Sequence, residues 1–359
     1  MKRLVLACLV VTGLHVAMCR ADEARIPVYQ PTIITQPGHY ILTRDIAGGS
    51  GNVITIQAND VTLDLNGRTI RDANPVALIM IADGFSRITI RNGRLSGGDT
   101  GIGYGSVAAG LRLTVEKVEF SGSSSAIAIA GATVVSILSC RIAGAGPGDA
   151  VMVRGLGDSS YTGQFLDNVI EESGASALAL HGLRAGLIRG NVIARFGKTT
   201  SFAHGIEIGS PVASDQGGNV IEHNTIRGSD DDIGIVIDGT PSNLVDENSV
   251  SGLGASGILI SSNGNRVVGN VTSGDQCGIC SSGTVSRNIL ERNHVENNAF
   301  DGIRVEGDFN LFDANVSEGN GQFGIDTSGT GSAYRNNMLR DNTVGAVAGA
   351  MTDAGGNIL

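Results

Sequence analysis

The sequence predicts an all-β fold in which one short coil repeats along the chain as a parallel β-helix. Apolar runs recur at a mean spacing of about 24 residues. Each period holds two or three short segments of alternating apolar and polar residues, such as 61–65, and no segment has the apolar spacing of a helix. A unit of this size cannot bury its apolar face alone, whereas stacked coils share one continuous core.

The repeat predicts about 13 coils. The residues aligned at the second position of each apolar run are Ile54, Leu78, Ile102, Ile127, Val151, Leu178, Ile206, Ile235, Ile258, Ile279, Ile303, Ile325 and Ala346. At the usual 4.8 Å between paired strands, such a stack is a rod roughly 60 Å long.

Paired asparagines with N-x4-N spacing mark the corners of the predicted coils. The pairs are Asn219/Asn224, Asn243/Asn248, Asn265/Asn270, Asn288/Asn293, Asn310/Asn315 and Asn337/Asn342. Asparagine tolerates the left-handed backbone conformation that a sharp corner needs, and stacked asparagine side chains can hydrogen-bond from coil to coil as a ladder. The sequence therefore predicts a structural asparagine ladder with no catalytic role.

The N-terminus has the pattern of a secretory signal peptide. Lys2 and Arg3 precede an apolar stretch, and Ala21 offers a small residue at the cleavage point. Lipidation of Cys19 is the alternative. We therefore expect residues 1–21 to be a signal peptide cleaved after Ala21, and the chain to be secreted or periplasmic. No later segment is long and apolar enough to span a membrane.

The charge balance excludes two classes of partner. The formal net charge is −10, and removal of residues 1–21 would lower it to −13, since that segment carries three cations and no acid. An acidic chain with no basic stripe argues against binding to nucleic acid or to anionic lipid.

Three cysteines follow the predicted leader: Cys140, Cys277 and Cys280. The last two have C-x-x-C spacing, but in an extended strand such a pair lies about 10 Å apart, beyond the reach of a disulfide. We expect them to be small apolar side chains that fill the coil, with a turn at Gly278 as the alternative that would allow a disulfide.

Two segments carry a resemblance to a known family. The stretch 33–43 (IITQPGHYILT), followed by 59–67 (NDVTLDLNG), resembles the entry into the helix in right-handed parallel β-helices of the pectate-lyase-like superfamily. With the repeats, the chain is similar to bacterial exported proteins that carry simple β-helix repeats. The resemblance implies a right-handed coil, with 51–359 as the β-helix. A solenoid needs its ends covered, which assigns residues 22–50 to an N-terminal cap. We expect the chain to act on or bind polysaccharide, and the resemblance is specific for the fold and not for the chemistry, since this fold hosts many activities.

The catalytic motifs of that superfamily are absent. The chain has no W-I-D-H run and no tryptophan, no D-P-H triplet as in alginate epimerases, and no N-T-D of polygalacturonases. Its Ala203-His204-Gly205 also precedes the Asp230–Asp232 run, the reverse of the polygalacturonase order. No catalytic residue of these families is therefore carried over, and the fold alone does not define a function.

Longer coils indicate where the chemistry lies. Between Val151 and Ile235 the repeats lengthen to 27, 28 and 29 residues through inserts at 155–163, 196–203 and 209–218. Functional residues are commonly held on loops above a rigid scaffold, although neutral insertion is the alternative. The only aromatic residues of the inserts that could stack on sugar rings are Tyr161, Phe196 and Phe202.

The same coils hold the candidate catalytic residues: Arg154, His181, Lys198, His204 and Glu207. A lyase or epimerase needs a group that neutralises a uronate carboxylate and a base that removes the C5 proton. Arg154 or Lys198 could neutralise the carboxylate. His181, His204 or Lys198 could take the proton, and Glu207 or Asp238 could hold a cation.

A turn rich in carboxylates is the candidate metal site. Asp230, Asp231, Asp232 and Asp238 offer the hard oxygen ligands that Ca²⁺ prefers, but without EF-hand spacing. A zinc site is not expected, because His181, His204 and His223 are assigned to different corners.

The sequence leaves two functions open. One is a lyase or epimerase that acts on an acidic glycan such as a uronate polymer, for which an acidic protein would need Ca²⁺ or a local basic patch. The other is a non-catalytic surface or periplasmic module for binding or assembly. Residues 345–359 are small and apolar and leave that end of the rod uncapped. Either the last coil frays, or it packs against a partner such as a second copy.

Overall fold

A computed structural model describes residues 25–49, 51–72, 76–105, 110–157, 159–209, 217–228 and 231–359. The predicted signal peptide and Cys19 lie outside these residues. In the described chain every regular element is a β-strand, and none of it forms a helix long and apolar enough to cross a membrane. The strands form two parallel sheets, one of 14 and one of 26 strands.

Each coil contributes its first strand to the 14-stranded sheet. Numbered in chain order among β1 to β40, these strands are β2 (Thr32–Ile34), β5 (Ile54–Ile56), β8 (Ala77–Ile81), β10 (Thr100–Gly105), β12 (Ser125–Ala130), β15 (Val151–Arg154), β18 (Leu178–His181), β21 (His204–Gly209), β24 (Ile233–Asp238), β27 (Ser256–Ser261), β30 (Cys277–Ser281), β33 (Ile303–Arg304), β36 (Phe323–Asp326) and β39 (Gly345–Ala348).

The 26-stranded sheet holds two rows of strands. The row of second strands is β1 (Ile26–Val28), β3 (Gly38–Leu42), β6 (Val61–Asp64), β9 (Ile88–Gly97), β11 (Leu111–Ser121), β13 (Ala132–Leu138), β16 (Thr162–Leu166), β19 (Leu187–Arg189), β22 (Val220–Glu222), β25 (Leu244–Asp246), β28 (Arg266–Val268), β31 (Ile289–Glu291), β34 (Leu311–Asp313), β37 (Ala333–Arg335) and β40 (Thr352–Asp353).

The row of third strands is β4 (Ile46–Ala47), β7 (Thr69–Asp72), β14 (Arg141–Ala143), β17 (Val169–Glu171), β20 (Val192–Ala194), β23 (Thr225–Arg227), β26 (Ser249–Ser251), β29 (Val271–Ser273), β32 (His294–Glu296), β35 (Val316–Glu318) and β38 (Met338–Arg340). The long strands β9 and β11 run through both rows and join them.

Each strand pairs in parallel with the equivalent strand one coil further on, which confirms the predicted β-helix of about 13 coils. Strands β2 to β4 already pair with β5 to β7 of the next coil. The described part of the predicted cap is therefore the first coil of the stack, and β1 pairs with β3 on its outer side.

A column of aliphatic side chains runs through the core along the 14-stranded sheet. Ile54 pairs with Ile79, and Ile325 with Val347, so the sequence alignment was displaced by one residue at Leu78 and at Ala346. The uninterrupted apolar run at 76–82 hid the register at Leu78. The column residues from Ile54 to Ile325 are almost completely buried. Each contributes roughly 1.5–3 kcal/mol through burial of its side chain.

The predicted asparagine ladder is present at two corners. In one, Asn248 donates from its backbone N and from Nδ2 to Asn270 Oδ1, at 3.0 and 2.9 Å, and also from Nδ2 to a backbone carbonyl in the preceding coil. Its members are Asn168, Asn191, Asn224, Asn248, Asn270, Asn293, Asn315, Asn337 and Asn357. The other ladder contains Asn219, Asn243, Asn265, Asn288 and Asn310.

A third ladder was not recognised in the sequence. It runs from Asp275 through Asn298 and Asn320 to Asn342. The pair Asn337/Asn342 therefore spans the first and third ladders, whereas the earlier pairs span the first and second.

The predicted left-handed conformation of the ladder asparagines was wrong. The positive φ belongs to the residue before each ladder position, as in Glu247 (φ 50°) before Asn248 and Arg292 (φ 53°) before Asn293. That residue turns the chain, so the asparagine after it can point its amide inward along the stack. The corner residue itself faces solvent, which is why its identity varies.

The prediction that Cys277 and Cys280 are unpaired was also wrong, since they form a disulfide. Their Cα atoms are 6.2 Å apart, because the backbone bends at Gly278 as it enters the 14-stranded sheet. The register omits Gly278, pairing Ser256 with Cys277 and Ile258 with Ile279. The bend places the side chains of Cys277 and Cys280 on one face, whereas Ile279 lies in the core. Cys140 is an unpaired, buried cysteine.

The last described coils end the stack with β39 and β40. Val344 is 60% exposed, and Ile358 and Leu359 are exposed to a similar extent. Contact with a second copy through this end stays a prediction.

Candidate functional site

The candidate site lies on the outer face of the 14-stranded sheet, on strands β15, β18 and β21. Arg154 of β15 pairs in register with His181 of β18, and His181 pairs with Gly209 of β21. Glu207 points outward two residues before Gly209, and His204 begins the same strand. Four of the five predicted catalytic residues therefore lie on three consecutive strands of one sheet.

The carboxylate of Glu207 accepts hydrogen bonds from two imidazoles. His181 Nε2 lies 3.0 Å from Glu207 Oε1, and His204 Nδ1 lies 2.9 Å from Glu207 Oε2. The three side chains are only 21–33% exposed. A neutral imidazole that donates through one nitrogen presents a lone pair at the other. His181 Nδ1 and His204 Nε2 are thus the nitrogens available to a ligand.

Two glycines shape this cluster. Gly205 bends the chain between His204 and Glu207, as Gly278 does between the disulfide cysteines, so that residues i and i+3 meet on the outer face. A Cβ at Gly209 would lie 3.0 Å from His181 Cδ2. A side chain at that position would therefore crowd the imidazole that reaches across to Glu207.

The environment keeps Glu207 ionised. Burial by itself would raise the pKa of Glu207, but the hydrogen bonds from His181 and His204, together with their charges, outweigh it and lower the pKa to about 2. An ionised carboxylate between two imidazoles orients both rings and stabilises either one when it takes up a proton.

Asp149 is a site residue that the sequence analysis missed. Its Oδ1 accepts a hydrogen bond from the backbone N of Ser176 at 3.0 Å, and Ser176 Oγ accepts one from the backbone N of His204 at 3.1 Å. Burial, and to a lesser extent the charge of Glu207, raise the pKa of Asp149. The available signal was its position two residues before Val151, which is equivalent to that of His204 before Ile206.

Arg154 provides the cation of the site. Its guanidinium Nη2 lies 2.9 Å from Met152 Sδ on the same strand, and its side chain is exposed. The charge of Arg154 also acts on the Asp149 carboxyl and partly offsets the rise in its pKa. A guanidinium in this position can bind a carboxylate through two parallel hydrogen bonds.

Lys198 is not brought into the cluster. Its Nζ lies 3.1 Å from Glu172 Oε2, and its backbone N donates to the Ser173 carbonyl. The ammonium is thus held by the corner of the preceding coil, because the insert at 196–203 folds back onto residues 173–174. Lys198 still lies in the segment that leads into His204.

Of the three aromatic residues predicted to stack on sugars, only one is accessible. Tyr161 and Phe196 are each 1% exposed and belong to the core, since their inserts close over the coil. Phe202 is 66% exposed and stands two residues before His204. Of these three residues, Phe202 is therefore the one whose ring a sugar could reach.

The predicted metal ligands are dispersed. Asp231 is an exposed turn residue, Asp232 is 1% exposed, and Asp238 lies exposed at the end of β24. Asp230 lies outside the described residues, and binding of Ca²⁺ stays a prediction. A different group in the described chain could hold a metal ion. It lies on the 26-stranded sheet, where the ligating atoms of His294, Glu296 and Glu318 are within 4.8 Å of one another.

The assignment of three histidines to separate corners was wrong for two of them. His181 and His204 meet at Glu207, because the bend at Gly205 directs His204 onto the sheet face. His223 lies apart, at the corner between β22 and β23, with Nδ1 3.2 Å from Glu247 Oε2.

Comparison with known proteins identifies the architecture. Residues 210–359 match the family model described as right handed beta helix region. No curated protein matches the chain. Among solved structures, the periplasmic alginate epimerase AlgG is similar, with a TM-score of 0.56 and 15% identity over 85% of this chain and 77% of that protein. The A-module of the mannuronan C-5 epimerase AlgE6 of Azotobacter vinelandii gives a TM-score of 0.50 and 15% identity, over 94% of this chain and 91% of the module.

These similarities confirm a right-handed parallel β-helix. At 15% identity they establish the fold, and the chemistry has to be argued from the residues of this chain.

Proposed function

We propose that this chain is an exported enzyme that acts on an acidic polysaccharide by exchanging or eliminating the C5 proton of a uronate residue. The observation that carries the proposal is the pair of imidazoles bridged by the Glu207 carboxylate on an outward sheet face. The likeness in fold to two alginate epimerases supports the class of substrate.

Arg154 binds and neutralises the uronate carboxylate in this proposal. Removal of the C5 proton leaves negative charge on the carboxyl group, and a guanidinium hydrogen-bonded there stabilises that charge. The chain as a whole is acidic, so this local cation is the feature that allows a uronate to approach.

His181 and His204 carry the proton in this proposal. One neutral imidazole removes the C5 proton, and Glu207 stabilises the imidazolium that forms. In epimerisation the second imidazole, protonated beforehand, returns a proton to C5 from the opposite face. In β-elimination the bond from C4 to the glycosidic oxygen breaks instead, a C4–C5 double bond forms, and the leaving oxygen receives a proton.

The placement of the two rings favours epimerisation. His204, at the start of β21, contacts Glu207 Oε2, and His181, at the end of the adjacent strand β18, contacts Glu207 Oε1. A sugar ring above Glu207 would then meet one imidazole on each side. Elimination needs only one of them.

A non-catalytic binding module is the second candidate function. It is favoured by the absence of the D-P-H triplet and by an acidic surface with few exposed aromatic residues near the cluster. Such a module would bind uronate through Arg154 and leave the C5 proton in place.

Product analysis on a panel of uronate polymers separates these functions. The purified protein is incubated with polymannuronate, polyguluronate and polygalacturonate, with and without Ca²⁺. Proton NMR of the anomeric region reports inversion at C5, and ultraviolet absorbance reports the unsaturated product of elimination. We expect inversion on at least one polymer, lost in Glu207→Gln and retained in His223→Ala. Binding without either product would support the module instead.

A further inference from the structure

A pocket lies on the same sheet face as the Glu207 cluster, beginning two coils further along the rod. It has a volume of about 520 Å³, and its lining includes Leu259, Cys280, Phe300 and Arg304. Arg304 aligns with Cys280, and Cys280 with Leu259, in the same outward column that contains Glu207. Arg304 lies four coils beyond Glu207, which at about 4.8 Å per coil is roughly 19 Å along the rod.

The two sites have the same backbone plan. Gly302 separates Asp301 from Arg304 as Gly205 separates His204 from Glu207, so residues i and i+3 both face outward. The Cys277–Cys280 disulfide lies one coil before Asp301 and cross-links the floor of the pocket. The floor is therefore held rigidly, as a binding site requires.

The charge of this pocket differs from that of the Glu207 cluster. Arg304 Nη2 lies 2.9 Å from Glu306 Oε1, and Arg304 Nε lies 3.8 Å from Asp326 Oδ2. Asp301 is 2% exposed, with Oδ1 accepting a hydrogen bond from the backbone N of Phe323. Acids thus outnumber the one cation, and that cation is already paired. A uronate carboxylate would be repelled here.

The remaining lining is suited to an uncharged sugar. The Phe300 ring is 45% exposed at the edge of the pocket, where it can cover the apolar face of a pyranose. Gln276 and Gln322 supply amide donors and acceptors, and the carboxylates accept hydrogen bonds from hydroxyl groups. The volume lies within the ordinary range of small-ligand sites, roughly 300–1,000 Å³.

We propose that this pocket binds a neutral pyranose residue of the same polysaccharide chain that presents a uronate to the Glu207 cluster. The statement that one glycan occupies both the pocket and the Glu207 cluster rests on the proposed function. Such a glycan would contain both uronate and neutral sugars. A linear glycan laid along the sheet face would place the two residues about four sugar units apart, at roughly one unit per coil.

Binding of neutral oligosaccharides tests the pocket independently of catalysis. Isothermal titration calorimetry is performed on the full protein with linear hexasaccharides of glucose, mannose, galactose and xylose, and with hexamannuronate. We expect at least one neutral hexasaccharide to bind. Phe300→Ala and Gln322→Ala should weaken that binding at least tenfold.

Phe309→Ala is the matched control, because Phe309 is an aromatic side chain that is 61% exposed and does not line the pocket. It should bind like the unaltered protein. Thermal unfolding of each variant confirms that the fold is retained.

Failure of the two proposals gives different results. No binding by any neutral hexasaccharide, or equal binding by the Phe300→Ala variant, would overturn the pocket assignment and leave the C5 chemistry standing. Neutral binding that is lost in Phe300→Ala, with no inversion or elimination on any uronate polymer, would uphold the pocket and overturn the proposed enzyme.

Discussion

The Nδ1 atom of His204 lies 2.9 Å from Oε2 of Glu207, although the two residues are three apart in one strand. In a regular strand, side chains at this separation point to opposite faces. The bend at Gly205 removes that alternation and brings both onto the outer face. The same bend at Gly278 allows the Cys277–Cys280 disulfide.

Loss of the Glu207 charge should change stability in a pH-dependent manner. The pKa of Glu207 is lowered to about 2 in the folded chain, so its carboxylate stabilises the fold above the ordinary glutamate pKa, and the contribution is lost as the pH falls towards 2. Glu207→Gln should therefore cost about 2 kcal/mol at pH 6 and little at pH 2. Urea unfolding at both pH values measures this, and an equal cost at both would contradict the assignment.

Asp275 should make the protein less stable in mild alkali. It occupies a ladder position, and burial raises its pKa to about 8, although backbone hydrogen bonds from Leu253 and Gly252 oppose the rise. The folded state therefore holds a proton that the unfolded chain releases at a lower pH, and stability falls as the pH rises from about 4 to 8.

Asp275→Asn should remove this loss, because the asparagine amide stays neutral and can donate to Asn298 Oδ1 as the other ladder amides do. We expect a gain on the order of 2 kcal/mol at pH 9 and a smaller one at pH 4. Thermal unfolding against pH measures it. Asn298→Asp is the converse variant and should add a second loss of stability as the pH rises. If the stability of neither variant changed its dependence on pH, ionisation of Asp275 would be refuted as the cause.

The three cysteines should react in a fixed order with iodoacetamide. Cys277 and Cys280 are protected as a disulfide until they are reduced. Burial raises the pKa of Cys140 to about 11, so that thiol is both inaccessible and protonated at pH 8.

Peptide mapping by mass spectrometry follows the order. We expect none of these three cysteines labelled in the native oxidised protein. Cys277 and Cys280 should be labelled after reduction, and Cys140 only after unfolding. Labelling of Cys277 without reductant would show that the disulfide is absent.

Removal of one interior ladder amide should be costly. Asn248→Ala would leave the hydrogen-bonding groups of its neighbours unsatisfied in the core, at a cost of roughly 2–4 kcal/mol. Asn263 is an exposed asparagine that accepts one hydrogen bond from Ser286, and Asn263→Ala should cost less than about 1 kcal/mol. Urea unfolding compares them. Equal costs would show that the ladder is not a main source of stability.

The fold could be predicted because its signal is repeated in every coil. The apolar column and the asparagine corners recur often enough that the errors at Leu78 and Ala346 did not alter the architecture. The positive φ of Glu247 could not be predicted from the sequence. The left-handed conformation occurs at a solvent-facing residue whose identity varies from coil to coil.

The site was predictable only in part, because its contacts depend on where single residues bend the chain. His181, Glu207 and Arg154 followed from strand register. The contact of His204 with Glu207 depends on the bend at Gly205, which the sequence analysis did not predict. Asp149 can be identified as a site residue only when the corner positions of successive coils are aligned. The pairing of Lys198 with Glu172 depends on the path of an insert, which no repeat encodes.

Deuterium incorporation at C5 is the most direct test of the central claim. A uronate polymer that the protein modifies is incubated with it in D₂O, and NMR and mass spectrometry follow exchange of the C5 proton. We predict deuterium at C5 with the unaltered protein and with His223→Ala, and a loss of at least 100-fold in rate with Glu207→Gln and with His181→Ala, in keeping with the usual contribution of general acid–base catalysis. Deuterium incorporation that continues unchanged in both cluster variants would contradict the assignment of proton transfer to this site.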